Sequence, residues 1–166
     1  KETPNLKPQI EWLKTKVSMP TEFGVEIKKT VGANGNDIYT PNQVESQNQD
    51  NVALTPGAYY LIWLHSHPTE KTYGMFSFGD LRFFRNAYTK TSESRKPEAT
   101  TIIVCQDPMY PNDPTKINTY AIKIDNFELF DTKVNEIWNN SDYNENTDDE
   151  KIEKIHLAQA LNYKAS

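Results

Sequence analysis

A chain of 166 residues, 36% hydrophobic and 25% charged, is long enough to bury a sizeable core, and a single domain over residues 1–166 is expected. A formal net charge of −5 with no basic run excludes a protein that grips nucleic acid mainly through its phosphates. No apolar run approaches the roughly 20 residues of a membrane span; the longest, Ala58 to Leu64, is the length of a strand.

In chain order, Leu6, Ile10, Leu13 and Val17 recur on one helical face, which predicts a helix over about 8–18 ended by Met19-Pro20. Phe23, Val25 and Ile27 alternate with Gly24, Glu26 and Lys28 as a half-buried strand. The turn-rich Gly32 to Asp37 follows, and Ile38 to Thr40 pairs back as a hairpin. Residues 41–57 are polar, contain Pro41 and Pro56, and read as a long loop bordering a functional site. Tyr59 to His65 and Thr100 to Gln106 are continuous apolar runs, expected of strands covered on both faces.

Between those two strands, Leu81, Phe84 and Tyr88 mark a helix face from Asp80 to about Thr89, and a polar loop covers Lys90 to Pro97. Residues 107–114, with three prolines, form a turn, and Lys116 to Ile124 returns as a strand. Asp125 is placed to cap a helix with Phe127, Phe130, Val134 and Ile137 on one face. A polar, acidic linker over 139–147 leads to a last helix carrying Ile152, Ile155, Ala158 and Leu161. The order predicts an α/β domain with a mixed, mostly antiparallel sheet.

The single cysteine, Cys105, lies in an apolar run and reads as a buried core thiol; it permits no internal disulfide and leaves the redox compartment open. The chain opens on Lys1 rather than methionine, so a leader, upstream domains or a tag is expected to have preceded it.

Residues 61–82 hold the chemistry. An apolar strand ends in His65-Ser66-His67-Pro68, and Ser77-Phe78-Gly79-Asp80 opens the next helix. Residues two apart on a strand point the same way, so both imidazoles can converge on one point. Two neutral imidazoles and the Asp80 carboxylate make a three-ligand zinc site with one position left for water. Each part has an ordinary explanation. A His-x-His pair can simply be a polar strand end, and Ser-x-x-Asp is a capping box variant. The two readings of Asp80 are compatible, and the conjunction within one short window favours a metal.

This pattern resembles the signature of the JAMM (MPN+, JAB1-like) zinc metalloproteases: a glutamate on an early strand, then His-Ser/Thr-His-Pro, then Ser-x-x-Asp. Pro20-Thr21-Glu22-Phe23-Gly24-Val25 supplies the early piece, with Glu26 on the same strand face as a rival. The resemblance implies a curved sheet flanked by helices, with layering like that of cytidine deaminases. It implies that His65, His67 and Asp80 bind Zn2+, that Glu22 is the general base, and that Ser77 donates to the oxyanion. It implies hydrolysis of a peptide or isopeptide bond in a polypeptide or peptide-conjugate substrate. The alternative is a JAMM-like module that binds a polypeptide without cutting it.

The chain departs from the family at Pro68 to Phe76, nine residues where the family usually has two fewer. Tyr73 and Met75 in that loop are candidates to line a substrate cleft. His156, off the apolar stripe of the last helix, reads as a surface residue. Usage rich in Asn, Lys and Tyr and poor in Ala and Gly leans toward a bacterial member. Such domains also occur within larger secreted or toxin-like proteins, which makes an exported or cell-envelope location the expectation.

Overall fold

The computed structural model describes residues 3–46, 52–69 and 74–139. Along them run α1 (Leu6–Lys14), β1 (Phe23–Val31), β2 (Asp37–Glu45), β3 (Tyr60–His67), α2 (Phe78–Lys90), β4 (Thr100–Gln106), β5 (Ile117–Lys123) and α3 (Phe127–Asn139), with a 3-10 turn at Lys96–Glu98. The strands form one mixed sheet in the order β2-β1-β3-β4-β5. Neighbours are antiparallel except β3 and β4, which run parallel with α2 as their crossover. The fold is the expected α/β one, a mostly antiparallel sheet flanked by helices.

The two sheet faces bury different residues, and period-two alternation decides which. On one side Leu13 of α1 and Val17 just beyond it pack on Phe23, Val25, Ile27, Ile62, Leu64, Ile102 and Val104. On the other, Trp63 packs with Phe84 and Ala87 of α2 and with Phe130 of α3, while Phe78 and Leu81 meet Val134. Central β3 is therefore apolar on both faces. His65 and His67 share the Trp63 face, the one that α2 covers.

Several boundaries differ from those the sequence predicts. α1 begins at Leu6, two residues before Pro8; proline is tolerated in a first turn because the N–H it lacks has no intrahelical acceptor there. The helix ends at Lys14, and bonds from Thr15 N to Trp12 O (3.1 Å) and Lys16 N to Leu13 O (2.8 Å) tighten the chain so that Val17 still reaches the core. Residues 41–45 are strand, not loop, with Pro41 paired to Ile27. β2 is an edge strand, so the missing proline N–H breaks no ladder on its outer side.

β3 continues through His67. The cap of α3 is Asn126, whose Oδ1 accepts the Leu129 N–H at 3.0 Å, rather than Asp125. Part of the 41–57 loop, Tyr73, the linker from residue 140 on, the last helix and His156 lie outside the described residues. No helix among the described residues is long and apolar enough to cross a membrane.

Phe84 is fully buried, with its ring edge-to-face on both Trp63 and Phe130 at 6.2 Å. Phe84→Ala should therefore destabilise the protein by about 3–5 kcal/mol in denaturant unfolding, the usual cost of emptying a large aromatic site. A loss below about 1 kcal/mol would show that the α2–sheet interface is not the main core.

Candidate metal centre

The site lies where β3 ends, β1 begins and α2 starts. In the β1–β3 ladder Gly24 pairs with His65, and extending that register sets Glu22 opposite His67. Directly opposed residues on antiparallel strands share a face. Glu22, His65 and His67 are all buried, and one ligand atom from each lies within 4.8 Å of the others, so this cluster can hold a metal ion.

The imidazoles meet Nε2 to Nε2 at 3.0 Å. Asp80 comes down on them from α2, with Oδ1 3.1 Å from His65 Nε2 and Oδ2 3.4 Å from His67 Nε2. Ligands on a tetrahedral ion with bonds of about 2.0–2.1 Å sit about 3.3 Å from one another. The imidazole pair lies close to that value, and the two Asp80 contacts, made by different oxygens, set its carboxylate against both rings. Glu22, clustered with the same imidazoles, adds a second carboxylate to this set.

Helix geometry holds Asp80 in place. Ser77 is the N-cap of α2; its Oγ accepts the Asp80 N–H at 3.1 Å, and its own N–H donates to Asp80 Oδ2 at 2.6 Å. This reciprocal capping box satisfies two helix-end donors. It also fixes the carboxylate whose oxygens face the imidazoles. Burial alone would push the Asp80 carboxyl up; the charges and hydrogen bonds of His65 and His67 outweigh it and hold the group well below the usual carboxylate range.

Glu22 is anchored through backbone on both sides. Its carbonyl accepts the Ser46 N–H from the residue after β2 at 3.1 Å. The next residue, Phe23, is tied to β3 by the Ser66 hydroxyl. Beyond Pro68, Thr69 N and Oγ1 both donate to Val17 O, at 3.0 and 3.1 Å, so the exit of β3 is pinned to the segment that follows α1.

Glu26, the rival base, serves the scaffold instead. Its Oε1 accepts from Asn42 Nδ2 at 3.0 Å and its Oε2 from the Thr55 N–H at 2.7 Å. The Trp63 indole N–H donates to Thr55 O at 3.0 Å, so residues 52–57 are strapped to the face that carries the histidines. Gly24 is the seat of this strap: a Cβ there would lie 2.7 Å from the Leu54 side chain and 3.1 Å from Val52. Met75 is half-buried. The strap and the role of Ser66 are features that sequence reasoning missed; a lone serine inside an apolar strand was the available signal for the second.

No family model, no curated protein and no solved structure matches the chain. The chemical reading therefore stands on the donor set and its geometry.

Two measurements test this local picture. Cys105, opposite His67 on β4, is buried, and burial with the nearby Asp107 charge pushes its thiol up to about 12. It should react with an aromatic disulfide reagent only as the protein unfolds; rapid labelling at neutral pH would contradict the packing of β4. Each imidazole must be neutral to ligate, so divalent-metal affinity should weaken on acidification and metal uptake should release protons. Calorimetric titration from about pH 5 to 8 checks this, and a flat profile would count against histidine ligation.

Proposed function

We propose that the protein is a zinc-dependent hydrolase that cleaves a peptide or isopeptide bond with a metal-activated water. The observation that carries this reading is the convergence of Glu22, His65 and His67 in one buried cluster with the Asp80 carboxylate against both imidazoles. His65, His67 and Asp80 would hold the ion, as the JAMM resemblance of the signature implies. Bound there, zinc would supply a polarised water that loses its proton near neutral pH.

The remaining steps belong to the chain. Glu22, buried at the start of β1, would take the proton from the attacking water and pass it to the departing amine. The Ser77 oxygen accepts from Asp80 N, and its hydroxyl can donate as well as accept. The hydroxyl proton would be donated to the oxygen on which charge develops. The strap over 52–57 and the segment 74–76 would flank the substrate, a polypeptide or a peptide conjugate.

Protein purified without chelator should carry one zinc per chain by elemental analysis. Activity on libraries of linear and isopeptide-linked fluorogenic peptides should disappear with a chelator and return with zinc. Glu22→Gln should lower turnover by about 10²–10⁴-fold while keeping the metal. An unchanged rate in that variant would remove Glu22 from the mechanism. A folded protein that takes up no metal would speak instead for the non-cutting polypeptide-binding module.

A further inference from the structure

We infer that Ser66 is the positioning residue that sets Glu22 against the imidazole pair; this rests on the reading of Glu22 as the base. The paired rungs of β1 and β3 end at Gly24 and His65. One rung further, toward the site, a side chain bridges the strands. The Phe23 N–H donates to Ser66 Oγ at 3.1 Å, and the Ser66 hydroxyl donates to Phe23 O at 3.5 Å. Ser66 is fully buried and Phe23 nearly so, leaving no room for solvent to replace these bonds.

A strand residue turns its N–H and C=O to the same neighbour. Phe23 turns both toward β3, while the carbonyl of Glu22 faces the other way and takes the Ser46 N–H. The position of Glu22 relative to β3 therefore depends on the rung at Phe23, and one hydroxyl provides both bonds of that rung. The same serine lies between His65 and His67, so a single residue references the base to the two nitrogens it must work beside. Its role is distinct from that of a ligand, because it acts on the carboxylate through the backbone.

The test uses Co2+ as a visible probe alongside hydrolysis. Ser66→Ala should bind Co2+ within about threefold of the parent. Its visible absorption spectrum should change as that of Glu22→Gln does, because the carboxylate beside the imidazole pair has moved. Ser66→Thr, which restores the hydroxyl, should return the parent spectrum. On a cleaved peptide, Ser66→Ala should lower kcat by about 10–100-fold with KM within about twofold, and Ser66→Thr should recover it.

Amide exchange in the unmutated protein adds a check that needs no variant to fold: the Phe23 N–H should exchange as slowly as the amides of the β1–β3 ladder. Fast exchange at Phe23, or a parent-like Co2+ spectrum in Ser66→Ala where Glu22→Gln differs, overturns the proposal. A spectral change in Ser66→Ala in a protein that cleaves no peptide upholds the positioning role and removes the hydrolase reading alone.

Discussion

Two imidazole nitrogens held 3.0 Å apart in a buried site need a shared proton or a cation between their lone pairs. Much of the local structure serves to hold them there. β3 lies between β1 and β4 in the sheet, and α1 and α2 cover its two faces. The crossover helix α2 then starts directly above the end of β3 and brings an anionic residue to it. Asp80 answers the positive charge that the imidazoles attract, and the imidazoles in turn keep Asp80 ionised in spite of its burial. Either half alone would be costly to bury.

The parts of the site are shared with the scaffold. Asp80 closes a helix cap and faces the imidazoles with the same carboxylate. Ser77 completes the cap with both its side chain and its backbone N–H. Glu22 and Glu26, four residues apart on one strand face, have different surroundings set only by their neighbours. Glu22 meets two imidazoles, whereas Glu26 meets an amide side chain and a backbone N–H. The strand presents both carboxylates alike, and the surrounding chain assigns one to the histidine cluster and the other to the framework.

The histidine pair and Asp80 were legible in the sequence because each follows from local periodicity: two residues apart on a strand, and three after a helix-opening serine. The strands of the sheet centre were equally plain from their unbroken apolar runs. What escaped the sequence depends on contacts between distant segments. Pro41 signals a loop until an edge position makes its missing N–H harmless. Asp125 and Asn126 are equally good caps by composition, and only the path of the chain into α3 selects the second. Ser66 is one more polar letter until Phe23, 43 residues earlier, is placed beside it. The strap over 52–57 has no period of its own, since the backbone of Thr55 is held by the Glu26 and Trp63 side chains rather than by a ladder.

That strap gives the protein an internal optical gauge. The Trp63 indole is fully buried, donates to Thr55 O, and stands two residues before His65 on the same sheet face. Its fluorescence colour and lifetime depend on the polarity and hydrogen bonding around the ring. The chain has three tryptophans, and Trp12 lies across the sheet with α1, packed edge-on to Phe23. Lifting residues 52–57 would free the Trp63 N–H and admit water to its edge, so movement beside the histidines is transcribed into light by a residue already in place.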